Sequence, residues 1–491
     1  MTVAVLDLGK TNAKLSAVTG EGEVLEQLAT PNRVLPGPPY PHHDLAGLED
    51  WLLASLADLG RRHAIEAIVP CTHGGSGVLI GDDAAALPMI DYEAPLPTAT
   101  ADAYRAAMDD FHERGGSSLM LGAAHSARQL LHFERAFPEV FARARAYLHT
   151  PQYWSWRLSG VSASEVTSFG AQSHLWCAPE SRLAAIVARR GWQRLLPPMT
   201  PAWATLGPIR PEIAAHTGLS PDTRVICGIH DSSANFYRYQ AAGLADLTVI
   251  STGTWIVALT DRQDVDFTTE RAGWSCNSDV HGRPVPGMLT MGGREFSAVA
   301  GGAEGPADRA TLARLVESGT MALPFFGQDD GLAPGRAGKG RVIGPMADDP
   351  AARFSLAVLY AALLTAEILD ALPDTRTVVL DGNFVRDPLY GALVQHLHPG
   401  AEVCVNSDSY GASAGAALLA GHAARTAPAA LALARPDTAG LPDLAAYRAR
   451  WREALTAAPE GAQTTTAPEG AQTTAAPDGA QTTTALDGAR A

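Results

Sequence analysis

The chain has 491 residues, of which 46% are apolar and 18% charged, and 37 lysines and arginines against 52 aspartates and glutamates give a net charge of −15. This length predicts two to four domains with sizeable cores. The acidic balance argues against a general nucleic-acid or anionic-membrane binder, because both need a cationic face. There is no basic leader and no apolar run of about 18 residues, so we expect a soluble, cytoplasmic protein. The five cysteines are scattered without a C-x-x-C pair, which predicts neither a disulfide framework nor a cysteine zinc site.

Short β-branched runs alternate with longer alanine- and leucine-rich runs as far as residue 457, which is the α/β pattern. Strands are predicted at Val3–Leu6, Lys14–Val18, Ala67–Val69, Arg224–Cys227, Thr248–Ser251, Val378–Leu380 and Glu402–Val405. Helices are predicted at Leu48–Leu59, Thr98–Phe111, Ser181–Ala188, Ala351–Leu372, Pro388–Leu397, Ser413–Ala420 and Asp443–Leu455.

The end of the chain repeats a nine-residue unit, A-P-E-G-A-Q-T-T-T, with small variations from Ala458 onward. Each unit contains proline and glycine and almost no large apolar side chain. Such a unit cannot bury enough surface to offset the entropy of ordering, so residues 458–491 are predicted to be a disordered tail.

An apolar strand running into a polar glycine turn occurs twice, in V-A-V-L-D-L-G-K-T near the start and in L-T-V-I-S-T-G-T near the middle. Each is followed by a second apolar run, which predicts a β-hairpin. The duplication predicts two related domains, residues 1–242 and 243–457, with a cleft between them.

The two turns also suggest a chemistry. A glycine lets backbone N–H groups approach a phosphate, a threonine hydroxyl can donate to a phosphate oxygen, and the Asp7 carboxylate can hold a hydrated Mg²⁺. An ordinary polar turn explains either copy alone, but the repetition favours phosphate binding. The predicted phosphate contacts are Gly9, Lys10, Thr11, Asn12 and Lys14 in the first copy and Thr252, Gly253 and Thr254 in the second.

A third element, G-I-H-D-S-S-A at 228–234, follows a strand and opens a helix. A carboxylate at a strand-to-helix junction is well placed to act in a cleft, which favours Asp231 as a general base. The alternative is that Asp231 is a helix N-cap, a common structural position for aspartate.

Taken together, these elements resemble the FGGY-type carbohydrate kinases of the actin-like ATPase superfamily. The resemblance rests on D-x-G-x-T at the start, Y-W-S-W-R-L-S-G at 153–160, Glu165-Val166-Thr167, G-x-H-D-x-x-A at 228–234 and S-T-G-T-W at 251–255. It implies an α/β fold of two actin-like (ribonuclease H-like) domains flanking a cleft. It also implies ATP and Mg²⁺ as cofactors, with Asp231 taking the proton from a sugar hydroxyl.

The resemblance adds further site residues. Gly382, Asn383 and Gly411 correspond to the family's nucleotide segments, although only one of three glycines is kept at 382. His73, Gly74 and His230 correspond to its sugar pocket. The combination of H-D with S-T-G-T-W looks most like the L-rhamnulose and L-fuculose kinase branch, so a ketose is expected. Another sugar or polyol, such as xylulose, ribulose or an aldose, and a non-catalytic sugar- or nucleotide-sensing relative are the alternatives. The expected partner is a small sugar, with neither nucleic acid nor membrane, and a homodimer is left open.

Three competing patterns are set aside. Gly411-Ala412-Ser413-Ala414-Gly415 is a G-x-S-x-G motif, but no Asp or Glu lies between it and His422, so a hydrolase order fails. The glycine-rich stretch at 335–341 lacks the hydroxyl residue of a phosphate-binding P-loop and is interpreted as a mobile surface loop. His42-His43 and His396-x-His398 are interpreted as surface residues.

Overall fold

The computed structural model describes residues 1–120, 122–327, 332–408 and 410–456; the repeat tail at 458–491, for which disorder was expected, lies outside the described residues. Met1–Leu455 forms one compact unit. The domain boundary at residue 243 therefore stays a prediction.

Two large sheets organise this unit, one built from strands that precede residue 231 and the other from strands that follow residue 246. The described strands are β1 Thr2–Leu8, β2 Asn12–Thr19, β3 Val24–Pro31, β4 Val34–Leu35, β5 His42–His43, β6 Ile65–Thr72, β7 Gly77–Ile80, β8 Ala146–His149, β9 Trp176–Cys177, β10 Arg182–Leu183, β11 Thr205–Pro208, β12 Arg224–Ile226, β13 Ile229–His230, β14 Leu247–Thr252, β15 Ile256–Thr260, β16 Trp274–Ser278, β17 Pro284–Thr290, β18 Met321–Leu323, β19 Arg341–Ile343, β20 Thr377–Gly382 and β21 Glu402–Val405.

Helices cover the faces and ends of the sheets. They are α1 Leu45–Gly60, α2 Thr98–Ala107, α3 Ser126–Ala136, α4 Pro138–Arg143, α5 Thr150–Ser159, α6 Val166–Gly170, α7 Ala185–Arg190, α8 Pro211–Thr217, α9 Asp231–Ala241, α10 Gly292–Ala300, α11 Arg309–Ser318, α12 Arg353–Ala371, α13 Pro388–Leu397, α14 Gly411–Leu419 and α15 Ala445–Thr456.

Five strands follow the same order and directions in both sheets. In the first, β1 pairs antiparallel with β2 and β2 with β3, while β1, β6 and β12 run parallel. In the second, β14 pairs antiparallel with β15 and β15 with β17, while β14, β20 and β21 run parallel. Both predicted hairpins are therefore confirmed, and each occupies the same place in its sheet.

Helix α9 packs against both sheets. Its Ala234 and Tyr237 lie in a cluster with strands of the first sheet, whereas Phe236 and Tyr239 lie in a cluster with strands of the second. Full burial of a large apolar side chain contributes about 1.5–3 kcal/mol. The N-terminus of α9, where Asp231 lies, is thereby held between the two sheets.

The predicted strands and most predicted helices are found within a few residues of their expected bounds. The helix expected at Ser181–Ala188 is wrong in its first half, because Arg182 and Leu183 pair as a strand with β9. Ser181 also has a φ of 50°, which no right-handed helix contains. The helix begins only at Ala185.

One segment of the described chain, Pro350–Ala371, is long and apolar enough to cross a membrane, and 78% of its most apolar stretch is buried inside the protein. It contains α12, whose side chains belong to the core beside the second sheet. Burial accounts for its apolar composition.

Candidate active site

The carboxyl ends of parallel strands meet at one edge of a sheet, and this brings the predicted residues of the first half together. In the register of the first sheet, Asp7 lies beside Cys71, and both Leu8 and His230 lie beside Thr72. Asp7, His73 and Asp231 therefore emerge at the same edge.

A cavity of about 140 Å³ opens at this edge and is lined by residues associated with both sheets. This is well below the roughly 300–1,000 Å³ of pockets for drug-sized ligands, so the cavity suits a smaller molecule. All four residues predicted to bind the sugar line this cavity, namely His73, Gly74, His230 and Asp231. Residues in or beside strands of the second sheet line the other side of the cavity, namely Trp255, Val257, Asn277 and Leu289.

Asp231 is the first residue of α9, and its side chain is 27% exposed. The N-cap position is occupied by His230, and Asp231 Oδ1 accepts from the N–H of Ser232, 2.5 Å away, and from its hydroxyl, 3.1 Å away. A capping carboxylate would instead accept from a donor two or three residues onward. Burial raises the pKa of the Asp231 carboxyl, which makes its anion a stronger base.

His230 is hydrogen-bonded at one ring nitrogen and lies close to the Asp231 carboxylate with the other. Nδ1 lies 3.1 Å from Ser233 Oγ, and Nε2 lies 3.2 Å from Asp231 Oδ1. Burial lowers the pKa of His230 to about 3, so the ring is neutral at pH 7. A contact from His230 to a sugar stays a prediction.

The Glu165-Val166-Thr167 motif is hydrogen-bonded to the backbone at His230. The Glu165 carboxylate caps α6 and accepts from the Thr167 hydroxyl at 2.6 Å. Thr167 Oγ1 in turn accepts from the backbone N–H of His230 at 3.1 Å. All these groups are buried, so this hydrogen-bond chain fixes the backbone at His230, directly before Asp231.

Helix α5, which carries the Y-W-S-W-R-L-S-G motif, hydrogen-bonds to the backbone just before Gly228. Ser155 Oγ lies 2.9 Å from the carbonyl oxygens of Ile226 and Cys227, and Gln152 Nε2 lies 3.3 Å from that of Cys227. Two motifs singled out in the sequence therefore position the third.

The first glycine turn presents Thr11 exposed at its tip and is closed by a hydrogen bond from Gly9 N–H to the Asn12 carbonyl at 3.0 Å. Asp7 lies opposite Lys14 in the β1–β2 register. Burial, together with the nearby Asp231 carboxylate, raises the pKa of Asp7 to about 6.

The residues present fit Mg²⁺. This ion prefers oxygen ligands and is usually held by one or two carboxylates together with water and substrate phosphates. Asp7 offers such a carboxylate, and a cation beside it would favour its ionised form.

Lys10, predicted to contact phosphate, is instead turned toward a neighbouring acidic segment. Its ammonium pairs with Asp91, lies 4.0 Å from Glu93 Oε2 and sits 5.0 Å from the centre of the Tyr92 ring. A role of Lys10 at the phosphates stays a prediction, and it would require the side chain to leave these partners.

The second turn is tied to the segment at 381–384. The Thr252 hydroxyl donates to the Asp381 carbonyl at 2.8 Å and accepts from the Phe384 N–H at 3.0 Å. The single hydrogen of this hydroxyl is therefore already donated within the protein. Gly253 and the exposed Thr254 form the tip of the turn.

Gly382 cannot carry a side chain in this setting. Its φ is +95°, and an added Cβ would lie 2.1 Å from the Thr252 carbonyl oxygen. Asn383 follows directly, and its N–H donates to the same carbonyl at 2.7 Å. The close approach of the Thr252 carbonyl explains why position 382 is a glycine.

Gly411 opens α14 where that helix meets α9 and β20. A Cβ there would lie 2.3 Å from Asn235 Oδ1 and 2.5 Å from Asp381 Oδ2. Close packing explains this glycine, while a nucleotide contact at Gly411 stays a prediction.

Several cavity residues were not predicted individually. Trp255 ends the S-T-G-T-W motif, and Tyr92, His125, Gln172 and Asn277 are brought in by loops and by β16 without a local signal. His43 was interpreted as a surface residue, which is wrong: it is 2% exposed, and its ring centre lies 5.7 Å from that of His73.

The stretch at 335–341 is exposed at Gly335, Gly338 and Lys339, as expected of a surface loop. One residue of that stretch, and one of the other histidines predicted at the surface, are not exposed. Arg336, in the stretch at 335–341, is buried and donates to the Pro324 carbonyl. His398 is largely buried, with its Nδ1 3.6 Å from Asp370 Oδ1.

Among the described residues, one group of three could hold a metal through side-chain donors, His112, Cys177 and Glu180. It lies outside the cavity lining, His112 Nε2 is already 2.6 Å from Glu180 Oε1, and burial raises the pKa of the Cys177 thiol to about 11. The group is explained as a histidine–glutamate pair beside a buried thiol.

Comparison with known proteins gives a consistent result. Residues 2–236 match the N-terminal domain of the FGGY family of carbohydrate kinases, and residues 244–428 match the C-terminal domain of FGGY carbohydrate kinases. L-fuculokinase of Escherichia coli is 25% identical over 302 residues, which cover 58% of this chain and 62% of that enzyme.

Solved structures agree. A carbohydrate kinase from Novosphingobium aromaticivorans is 32% identical, with a TM-score of 0.81 over 92% of this chain and 98% of its own. A gluconate kinase from Lactobacillus acidophilus has a TM-score of 0.72 over 93% of this chain and 96% of its own, at 15% identity. The expected two-domain actin-like kinase fold is confirmed.

Proposed function

Because the chain belongs to the FGGY family of carbohydrate kinases, we propose that it transfers the γ-phosphoryl group of ATP to a hydroxyl of a small sugar, with Asp231 as general base. The observation that carries this proposal is the position of Asp231. Among the described residues that line the cavity it is the one carboxylate, and it stands at the start of the helix that packs against both sheets.

In the proposed reaction, Asp231 accepts the proton of the sugar hydroxyl while that oxygen forms a bond to the γ-phosphorus, and ADP leaves with the electrons of the broken P–O bond. The raised pKa of Asp231 favours this proton transfer. Mg²⁺, held beside Asp7, would neutralise charge on the phosphates. The remaining catalysis is positioning, through the two glycine turns and the Glu165–Thr167–His230 chain.

The sugar that accepts the phosphoryl group is proposed to be a ketose, with L-fuculose and L-rhamnulose as the first candidates. The S-T-G-T-W and H-D motifs and the 25% identity to L-fuculokinase support this choice. Xylulose, ribulose, an aldose or a polyol are the alternatives. A non-catalytic sensing role is disfavoured because the buried hydrogen-bond chain holds Asp231 in place.

We further propose a cytoplasmic location, since the five cysteines are free and buried, as is usual in reducing compartments. The expected homodimer and the expected lack of nucleic-acid and membrane partners stay predictions.

The test is a panel of L-fuculose, L-rhamnulose, D-xylulose, D-ribulose, L-rhamnose and glycerol with ATP and Mg²⁺, in which ADP release and the mass of the phosphorylated product are measured. Asp231→Asn should lower kcat for the best acceptor by about 10²–10⁴-fold with ATP affinity unchanged. A variant that keeps more than about a tenth of wild-type kcat would show that Asp231 is not the base.

Asp387→Asn is the matched control. Asp387 caps α13 by accepting from the Leu389 N–H at 2.9 Å. This N-cap role is the structural alternative to catalysis for Asp231. This control should lower stability at most and leave kcat intact.

A further inference from the structure

Asp381 lies where the predicted nucleotide residues of the second half of the chain meet. Its backbone carbonyl accepts from the Thr252 hydroxyl at 2.8 Å, and its Oδ1 accepts from the Gly382 N–H at 2.6 Å. A Cβ added at Gly411 would lie 2.5 Å from Asp381 Oδ2. Three residues that are predicted to bind nucleotide, and that are far apart in the sequence, therefore lie against this one aspartate.

The Asp381 carboxylate is buried and receives three hydrogen-bond donors. The residue is 3% exposed. Besides the bond from Gly382, its Oδ2 lies 2.7 Å from the Tyr239 hydroxyl and 3.3 Å from Asn406 Nδ2. The same amide lies 3.0 Å from the Tyr239 hydroxyl oxygen, so this oxygen accepts from Asn406 and its hydrogen is directed to Asp381. A buried carboxylate is costly unless it is hydrogen-bonded, so these donors fix its position.

Tyr239 belongs to α9, the helix that begins with Asp231. Eight residues separate the two, which is about 12 Å along a helix axis. The Tyr239 side chain is fully buried, and a second contact, from Asn235 Nδ2 to Ser251 Oγ at 2.7 Å, joins the same helix to β14. The proposed base and the predicted nucleotide segment at 382–383 are therefore connected through α9, Tyr239 and Asp381.

A second buried tyrosine of α9 makes a different contact. Tyr237 is 4% exposed, and its hydroxyl lies 2.6 Å from Nδ1 of His422, a residue that is not among the predicted nucleotide contacts. Helix α9 thus carries two buried, hydrogen-bonded tyrosine hydroxyls, and Tyr239 is the one that contacts the nucleotide group around Asp381. The pair allows a structural role to be separated from a role in nucleotide binding.

We propose that Asp381 and Tyr239 are positioning residues for the nucleotide, because their hydrogen bond holds the backbone at Gly382 and Asn383 in a fixed position relative to the helix that begins with Asp231. This inference rests on the proposed kinase function. Without the Tyr239 hydroxyl, the segment at 381–383 occupies its binding position for a smaller fraction of the time. The apparent affinity for nucleotide falls in proportion to that fraction.

The first experiment removes the hydroxyl and keeps the ring. In Tyr239→Phe, the Kd for ADP with Mg²⁺, measured by titration calorimetry in the absence of sugar, should rise about 10-fold, since a hydrogen bond to a charged group is worth at least that factor. KM for ATP should rise in parallel. KM for the best ketose should stay within about twofold of wild type, because the residues that line the sugar cavity are unchanged.

Tyr237→Phe is the matched control. It removes a buried hydroxyl from the same helix, so it should lower the melting temperature about as much as Tyr239→Phe does, while the Kd for ADP stays within about twofold of wild type. A folded Tyr239→Phe protein that binds ADP as tightly as wild type would overturn the inference. Equal increases of Kd in the two tyrosine variants would overturn it as well.

The second experiment is a double-mutant cycle with Asp381→Asn. An amide has one oxygen for the three donors that the carboxylate holds, so this variant should also bind ADP more weakly. In the double variant, the rise in Kd should be smaller than the product of the two single rises, because both substitutions remove the same contact. Rises that multiply would contradict the inference. If Asp381→Asn does not fold, the comparison of the two tyrosine variants decides.

Failure of this inference is distinguishable from failure of the proposed function. A wild-type protein that phosphorylates a sugar while Tyr239→Phe keeps its affinity for ADP would refute the positioning role alone. A wild-type protein that binds ADP but phosphorylates no sugar would refute the kinase function, and the tyrosine comparison would still test the positioning role. A wild-type protein that binds no ADP would refute both.

Discussion

Replacing Thr167 with valine should damage catalysis although Thr167 is not in the cavity. The substitution keeps the shape of the side chain but removes the hydroxyl that accepts from the His230 N–H at 3.1 Å and donates to Glu165 at 2.6 Å. An unpaired buried N–H costs about 1–3 kcal/mol, and a lost hydrogen bond to a charged group about 1.5–3 kcal/mol. Glu165 keeps its other donors, so a loss near the sum of the two lower limits, about 2.5 kcal/mol of stability, is expected.

The effect on turnover follows from the position of Asp231, directly after His230. A displacement of about 1 Å at a reacting group can cost about 10²-fold in rate. We therefore expect kcat to fall about 10–100-fold, while KM for ATP stays within about twofold because the glycine turns are untouched. Steady-state kinetics with the best ketose and urea unfolding measure the two effects separately.

Two further variants make the test specific. Thr167→Ser restores the hydroxyl and should recover most of kcat. Thr217→Val is the matched control, because Thr217 is also buried and its hydroxyl donates to the Ile213 carbonyl and accepts from the Leu219 N–H, at the end of α8 and outside the cavity lining. It should lose stability but not kcat. A folded Thr167→Val protein with kcat within twofold of wild type would refute the positioning role.

Asp7→Asn should stabilise the nucleotide-free protein at pH 7 by up to about 3 kcal/mol, because the folded protein raises the pKa of Asp7 from 3.8 to about 6 and each unit is worth about 1.36 kcal/mol. The folded state binds this proton more tightly than the unfolded state, so the gain over wild type should be absent below about pH 4 and complete above about pH 6; urea unfolding of both proteins across this range would contradict the argument if the difference did not change with pH. Gly382→Ala should destabilise the protein and weaken ATP binding, because the new Cβ would meet the Thr252 carbonyl. Gly440→Ala, at a φ of +70° with open space around it, should cost only the backbone strain of about 1–2 kcal/mol, so equal losses in the two glycine variants would contradict the clash.

The strands and hairpins were predictable because their signals are local. An apolar run that ends in Asp7-Leu8-Gly9 predicts a strand and a turn from neighbouring residues alone, and the same pattern at 247–260 predicted the second hairpin. Alternation of apolar and polar positions depends on backbone geometry over a few residues, so no distant contact is needed. The helix expected at Ser181–Ala188 failed because its first half is held by pairing with β9, a contact outside the segment.

The same distinction between local signals and distant contacts applies to the candidate site. The sequence by itself determined that Asp231 follows a strand and opens a helix, and that His73 and Gly74 follow another strand. Only the structure showed that the parallel strands β6 and β13 end side by side. The sequence could not determine that His230 Nδ1 pairs with Ser233 or that Lys10 turns to Asp91. Such contacts join side chains far apart in the chain.

Asn277 shows the physical reason most clearly. Nothing in its local sequence distinguishes it from an ordinary strand residue, because hydrogen-bonding need is a property of the surroundings and not of the residue. Only the tertiary structure decided that Asn277 Oδ1 is buried without a partner among the described residues and that Asn277 lines a cavity together with His73 and Asp231. The sequence predicted the kind of chemistry through its local motifs, whereas the packing of the two sheets decided which side chains line the cavity.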